Sequence, residues 1–257
     1  MIVELFDQVP VWSILMITAL FAGFIDAIVG GGGLLTVPAL LGTGMPVHTV
    51  LGTNKLASTF GTAAASFTFY RNKLFSPHLW KECCISTFIG AFIGSLAVYV
   101  VSGEYLEKLL PLLIIATAIY TLLKKTPTIN ERPLDKSPSK LMQGTQGAIL
   151  GFYDGFAGPG TGAFWTVSSQ ILYKVNLLVS SGVARSMNFI SNLTSFVTFA
   201  ILGTVDYQIG IMMGCCLMIG SIIGAKSAIH LGPKFIRPIF ITVVLLISAK
   251  LAWGAWF

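Results

Sequence analysis

Charged residues are scarce in this chain: Asp, Glu, Lys and Arg together make up 10% of its 257 residues. Soluble domains carry about 25% charged residues, so the composition excludes an ordinary soluble globular protein. Hydrophobic residues account for 54% of the chain, and the mean hydropathy is +0.82. Because a helix needs roughly 20 residues to cross a bilayer, the chain has room for about ten crossings and for no extramembrane domain.

Residues that hold metals, form disulfides or catalyse reactions are also few. The four cysteines form two adjacent pairs, Cys83-Cys84 and Cys215-Cys216, inside apolar runs and without the spacing of metal ligands, which indicates small packing residues. The histidines lie near segment ends, without HExxH spacing: His48, His78 and His230. We therefore expect neither an enzyme nor a bound metal or cofactor, and a membrane enzyme or an assembly scaffold is the weaker alternative.

The excess of positive charge, +6 overall, is distributed mainly to the ends of apolar runs. This is the distribution that determines topology in membrane proteins, and no basic stretch is interleaved with aromatic residues as in a nucleic-acid-binding protein. The N-terminus carries Glu4 and Asp7 but no basic residue. We therefore expect the first apolar run to remain as a membrane span and not to be removed as a signal peptide.

The sequence contains an internal repeat. Gly23-Phe24-Ile25-Asp26 reappears as Gly151-Phe152-Tyr153-Asp154, an offset of 154 − 26 = 128, and Gly52 and Lys55 match Gly182 and Arg185 at an offset of 130. An ordered series of matches over most of both halves predicts two homologous units. We assign residues 1–123 to a first membrane repeat, 124–140 to an exposed linker rich in Lys, Pro and Ser, and 141–257 to a second membrane repeat.

Each half has five apolar segments, of which the second is short and bounded by glycine. The segments are 11–29, 34–46, 48–70, 79–101 and 105–123, and then 141–157, 161–173, 177–202, 207–229 and 233–257. A helix of about 12 residues reaches about 18 Å and cannot cross the bilayer alone. It either re-enters, which gives eight crossings, or completes a broken span with extended chain, which gives ten.

The basic residues favour ten crossings. With ten crossings and the N-terminus outside, eleven basic residues are cytoplasmic and one, Lys108, is outside, whereas eight crossings with the N-terminus inside give eight against four. Five crossings per half is an odd number, so the halves would be inserted in opposite orientations, as in many secondary transporters. The predicted fold is an all-α, multi-pass membrane protein made of two inverted repeats, with both termini outside and the linker cytoplasmic.

Glycine clusters interrupt the chain at equivalent points of the two halves, as Gly30-Gly31-Gly32-Gly33 and as Gly158-Pro159-Gly160-Thr161-Gly162. A broken helix in hydrocarbon is tolerated where its free backbone N–H groups face a cavity, and these groups at a helix N-terminus can bind an anion. The alternative is that glycine merely permits close helix packing, which we expect at Gly90/Gly94 and Gly220/Gly224. Neither cluster is a Walker loop, because no Gly-Lys-Ser/Thr follows.

One basic residue lies inside the third segment of each half, Lys55 after Asn54 and Arg185 before Asn188. A charge within a span usually faces a cavity or a partner. Polar residues continue from each cation near helical spacing, at Ser58, Thr62 and Ser66 in one half and at Asn188, Asn192 and Ser195 in the other. The alternatives are ion pairs with Asp26 and Asp154, which do not exclude ligand binding, or an extended Lys55 that reaches the membrane interface.

Asp26 and Asp154 occupy matching positions one turn before the glycine clusters. A carboxyl group in low dielectric could carry a coupling proton. It could equally accept backbone N–H bonds and hold the glycine loop, and we favour this structural role slightly. Tyr153 breaks the symmetry, because Ile25 stands at the matching position.

These motifs resemble those of the TauE/SafE sulfite exporter family of bacterial and archaeal permeases. Residues 23–38 with Gly52-Thr53-Asn54-Lys55 look like the first-half signature, and residues 151–160 with Asn188 look like the second. Arg185 stands where many members have lysine, which keeps the charge and changes the donor geometry. The resemblance covers nearly the whole chain and implies an inner-membrane permease for sulfite, organosulfonates or related small anions.

The residues and the resemblance together predict an anion transporter that works by alternating access at a midplane site. We expect export, because the membrane potential supplies about 2.3 kcal/mol per charge per 100 mV to drive an anion out. An anion channel and a proton-coupled importer are the alternatives. The expected partners are the substrate and the bilayer, with self-association left open. The candidate substrate-binding residues are Gly30, Gly31, Gly32, Gly33, Asn54, Lys55, Ser58, Gly158, Pro159, Gly160, Thr161, Arg185, Asn188 and Asn192.

Overall fold

The computed structural model describes residues 11–123 and 138–231, and every regular element within these ranges is an α-helix. The predicted tenth segment, 233–257, and most of the linker lie outside the described residues. The described helices are α1 (Val11–Val29), α2 (Gly33–Leu41), α3 (Val47–Arg71), α4 (Lys81–Tyr99), α5 (Gly103–Leu123), α6 (Lys140–Phe156), α7 (Thr161–Tyr173), α8 (Leu177–Ile201) and α9 (Tyr207–Leu231).

The helices follow the predicted apolar segments closely, so the all-helical expectation is confirmed over the described ranges. The second segment of each half forms a short helix, with 9 residues in α2 and 13 in α7. At about 1.5 Å per residue, both are too short to cross the hydrocarbon core alone. Each continues from the preceding helix after an interruption at the glycine cluster.

Three described helices, α1, α4 and α9, are long and apolar enough to span a membrane. Helices α3 and α8 have 25 residues each, but their buried faces carry many polar side chains, including Lys55 and Arg185. They are therefore long enough to cross a membrane, and their polar composition is typical of helices that are surrounded by other protein helices. The number of crossings stays a prediction.

Helices α3 and α8 contact each other at the centre of the molecule, and helices of both halves flank them. The first helix of each half packs against the fourth helix of the other, so that α1 lies against α9 and α6 lies against α4. Equivalent helices thus make equivalent contacts, although the opposite membrane orientation of the halves stays a prediction.

Glycine permits these pairs of helices to approach closely, as the sequence predicted. A Cβ atom on Gly90 or Gly94 of α4 would overlap a backbone carbonyl oxygen of α6. A Cβ atom on Gly220 or Gly224 of α9 would do the same against α1. Such backbone contact is typical of helix pairs in membranes.

The outer surface of this bundle is apolar and its interior is partly polar. Large side chains such as Phe21, Phe88, Ile149 and Ile219 are at least half exposed, whereas Lys55 and Arg185 are buried at the centre. In water this distribution would be costly, but in a bilayer the apolar surface faces lipid. The buried polar groups are therefore the place to look for a functional site.

Candidate functional site

The first interruption is held by a carboxylate. Helix α1 ends at Val29, and Gly30 follows with a φ of +83°, a conformation that residues with a Cβ rarely adopt. The backbone N–H groups of Gly31 and Gly32 both donate to Asp26 Oδ1, each at 3.0 Å. Asp26 therefore makes the contacts that the structural role predicts, and a proton-coupling role stays a prediction.

The second interruption is held by side-chain hydroxyl groups. Gly158 and Gly160 have φ angles of +88° and +77°. The hydroxyl of Thr161 donates to the carbonyl oxygen of Gly158 at 2.6 Å and lies 3.3 Å from Asp154 Oδ1. The hydroxyl of Tyr153 donates to the carbonyl oxygen of Pro159 at 2.9 Å. This bond gives a physical reason for tyrosine where the first half has isoleucine.

Lys55 pairs with the carboxylate of the opposite half. Its Nζ atom lies 2.7 Å from Asp154 Oδ1 and 3.1 Å from Asn192 Oδ1, and the lysine side chain is 2% exposed. Asp154 Oδ2 also accepts a hydrogen bond from the hydroxyl of Ser191. The ion-pair alternative is therefore correct for Lys55, and the alternative that it extends to the membrane interface is wrong.

Arg185 pairs across the halves in the other direction. Its Nη1 atom lies 3.1 Å from Asp26 Oδ2 and also donates to the backbone carbonyl oxygen of Asp26. The guanidinium is completely buried, and its Nε and Nη2 atoms have no hydrogen-bond partner in the described part of the chain. A Cβ atom on Gly30 or Gly162 would lie 2.5 or 2.6 Å from Nη2, so glycine at both interruptions makes room for this side chain.

A pocket lies where the two interruptions meet α3, α8 and α9, with about 450 Å³ of atom-free space that includes its opening. Most predicted site residues line it. From the interruptions these are Gly31, Gly32, Gly33, Gly158, Gly160 and Thr161, from the central helices Asn54, Lys55, Ser58, Asn188 and Asn192, and both carboxylates, Asp26 and Asp154.

Three predicted residues do not line the pocket: Gly30, Pro159 and Arg185. The reason for Arg185 is its ion pair, which holds the guanidinium behind the glycine interruption. The polar stripe on α8 is correspondingly shorter than predicted, because Ser195 is buried elsewhere. On α3, Ser66 bonds instead to Ser186 at 2.8 Å.

The pocket also includes residues that the sequence did not indicate. Gly61 lies on α3, and Leu217 and Ser221 come from α9. The stripe that begins at Lys55 could have indicated Gly61, which precedes Thr62. Nothing in the sequence indicated that α9 would line the pocket, since Ser221 is one of several small residues in an apolar helix.

The four ionic groups at the interruptions, of which three are buried and Asp26 is partly exposed, sum to zero formal charge, so the pocket does not attract an anion by net charge. Its polar chemistry comes from hydrogen-bonding groups. Lys55 uses two of its three N–H bonds within the described residues. The amide of Asn188 has an Oδ1 atom without a partner there. Several N–H groups at the starts of α2 and α7 already have backbone partners within the interruptions. Those of Leu34 and Leu35 donate to Gly31 and Gly32, and those of Thr161 and Ala163 donate to Gly158 and Gly160.

Comparison with known proteins gives a consistent result. The model of a family described as sulfite exporter TauE/SafE matches residues 15–251. A probable membrane transporter protein of Haemophilus influenzae is 37% identical over 247 residues, which cover 95% of this chain and 96% of that protein.

Two further relatives cover almost the same length. The probable membrane transporter protein YfcA of Escherichia coli K12 is 36% identical over 245 residues, with 95% and 90% of the two chains covered. The probable membrane transporter protein ORF9 of a Sinorhizobium species is 33% identical over 239 residues, with 93% and 91% covered. No solved structure matches.

Proposed function

The chain belongs to the sulfite exporter TauE/SafE family of membrane transporters, and we propose that it carries a small sulfur-containing anion, such as sulfite or an organosulfonate, out of the cytoplasm. The family membership supports transport across a membrane. The choice of substrate and direction is our proposal, and it depends on the chemistry of the pocket and on the membrane potential.

The observation that carries the proposal is the position of Lys55. Its amine lines the pocket, is fixed by Asp154 and Asn192, and has one N–H left for a ligand among the described contacts. The glycine residues on the opposite walls allow a ligand to approach the backbone closely. An oxyanion has several acceptor oxygens and could receive bonds from the amine and from the backbone at the same time.

The proposed mechanism is alternating access around this pocket. Residues of both halves line it, so a relative movement of the halves would open it first to one side of the membrane and then to the other. A negative cytoplasm drives an anion outward at about 2.3 kcal/mol per charge per 100 mV. Export therefore needs no coupling ion, whereas import would need one.

Transport is tested with the purified chain in liposomes loaded with sulfite. We expect saturable efflux that accelerates when the vesicle interior is made negative. We also expect unlabelled sulfite on the outside to accelerate the efflux of labelled sulfite from the inside. Efflux without saturation or exchange would support the channel instead. Flux that requires a proton gradient and runs inward would support the coupled importer. No flux of any sulfur oxyanion or organosulfonate would reject the substrate class.

The inverted arrangement is tested by labelling from one side of the membrane. One variant, free of the four native cysteines, carries a single new cysteine near residue 130, and a second carries it at the C-terminus. We expect an impermeant reagent to label them from opposite sides. Labelling of both from the same side would exclude two inverted halves of five crossings.

A further inference from the structure

A second groove lies between the C-terminal ends of α3 and α9 and shares no lining residue with the pocket. Its atom-free space is about 1070 Å³, including the opening. The basic side chains that line it are Arg71, Lys226 and His230. Apolar side chains, including Phe67 and Ile222, also line it. No carboxylate of the described residues is among the lining groups.

The basic side chains of this groove are available to a ligand. Lys226 and His230 are exposed, and Arg71 is exposed beside Phe67, with its guanidinium carbon 5.8 Å from the ring centroid. The ring face attracts the cation and restrains it at the edge of the groove. His230 Nδ1 donates to the backbone carbonyl oxygen of Lys226 at 2.8 Å, so this nitrogen already has a partner.

The apolar wall of the groove belongs to the surface that faces lipid. Phe67 is 60% exposed, and Ile222 lies on the facing helix. A small hydrophilic anion would gain nothing from contact with this wall. A molecule with an anionic head and a hydrocarbon chain would match both the basic edge and the wall.

The matching positions in the other half of the chain show that the fold does not require basic residues at the ends of these helices. At an offset of 130, Arg71 corresponds to Ile201, because 71 + 130 = 201. Lys226 and His230 correspond to Leu96 and Val100, because 226 − 130 = 96 and 230 − 130 = 100. Ile201 and Val100 are 81% and 82% exposed, so the equivalent end of the molecule is apolar.

We propose that this groove binds one anionic phospholipid. Its phosphate lies between Arg71 and Lys226, beside His230, and its acyl chain lies along Phe67 and Ile222. The predicted topology places this end of the molecule at the cytoplasmic leaflet, where basic pockets between helices bind anionic headgroups. The proposal stands independently of the transported substrate.

The test measures binding to the purified full chain in neutral detergent. Phosphatidylglycerol and phosphatidylcholine are titrated separately, and bound lipid is counted by native mass spectrometry while the melting temperature is recorded. We expect one saturable phosphatidylglycerol per chain and a rise in melting temperature, because a ligand of the folded state stabilises it. Phosphatidylcholine should give neither effect.

The variant Arg71→Gln/Lys226→Gln should weaken phosphatidylglycerol binding at least tenfold. The matched control Lys81→Gln/Lys174→Gln removes two exposed charges from the same predicted side, outside the groove, and should bind like the parent. A second variant, Ile222→Trp, fills the apolar wall without changing charge and should also lose the lipid. It keeps the test decisive if the double variant does not fold.

Three results would overturn the proposal. Equal weakening in the control would mean attraction to surface charge in general. Stabilisation by inorganic phosphate at the same residues, without preference for the lipid, would mean a site for a free anion. Equal binding of phosphatidylcholine and phosphatidylglycerol would mean that the basic residues play no part.

Discussion

The two halves of the molecule carry the same pattern of a carboxylate, a glycine interruption and a cation, but they use it differently. In the first half, Asp26 binds two backbone N–H groups of its own interruption and receives Arg185 from the second half. In the second half, Asp154 receives Lys55 from the first half and binds hydroxyl groups. Lys55 reaches the pocket and Arg185 does not.

This difference teaches that equivalent charges need not have equivalent roles. A guanidinium is planar, permanently charged and rich in donors, so it suits the narrow space between Gly30 and Gly162. An ammonium group is compact and has three donors, so it suits a position beside a ligand. We infer that the Arg185 pair mainly maintains the fold, whereas the Lys55 pair also serves the pocket.

The largest effect on stability should come from Asp26→Asn, which leaves the buried Arg185 without a counter-charge. We expect a loss of about 3–5 kcal/mol in unfolding free energy. Asp154→Asn should cost less, since Lys55 keeps its hydrogen bond to Asn192 Oδ1. The measurement is chemical unfolding in detergent. The double variant Asp26→Asn/Arg185→Met should regain stability, and a smaller loss for Asp26→Asn than for Asp154→Asn would reverse the comparison.

Within the first interruption, Gly30→Ala should destabilise far more than Gly31→Ala. Gly30 has a positive φ, and a Cβ atom there would overlap the backbone of Gly162, so the combined cost is roughly 2–4 kcal/mol. The nearest atom to a Cβ on Gly31 is Leu34 Cδ1 at 3.4 Å, which is ordinary contact. The measurement is the melting temperature of each variant, purified separately under the same conditions, and equal values would contradict the prediction.

The proposed division of roles predicts a binding effect at Lys55. Lys55→Met removes a charge-assisted hydrogen bond worth about 1.5–3 kcal/mol, so the apparent affinity for substrate should fall roughly ten- to a hundred-fold. The background Asp154→Asn avoids an unpaired carboxylate in this experiment. Arg185→Lys, which keeps the charge behind the interruption, is the control and should change affinity little. An affinity unchanged by Lys55→Met would remove Lys55 from the site.

The smallest effect concerns the starts of α3 and α8. The side chain of Asn176 accepts the N–H of Val179 at 2.8 Å, whereas the matching residue in the first half, Pro46, makes no such bond. Asn176→Ala should therefore cost about 1 kcal/mol, and Pro46→Ala removes no capping bond. Unfolding of both variants under one condition gives the difference, and a larger loss at Pro46 would refute it.

The sequence predicts the helical segments well because each is an apolar run with clear ends. The segment predicted at 161–173 is helix Thr161–Tyr173, and the interruptions lie at the predicted glycine clusters. The bond from Gly31 N–H to Asp26 was likewise predictable, since the two residues are separated by little more than one helical turn.

The crossed pairing was not predictable from one sequence. Lys55 and Asp154 are 99 residues apart, and nothing local distinguishes Asp154 from Asp26 as the partner. The choice depends on how the halves pack. The same reason explains why Arg185 was expected in the pocket and why Ser221 was not.

The crossed ion pairs bear on how such a chain could have originated. Each half contains one buried cation and one carboxylate, yet in both pairs the partner is supplied by the other half. A half made as a separate chain would therefore bury charges without partners until it met a second half. Under the predicted repeat, a single ancestral unit of this length would form both pairs only by assembling as a dimer. For the same reason, chimeras that combine halves of different relatives should keep both pairs intact.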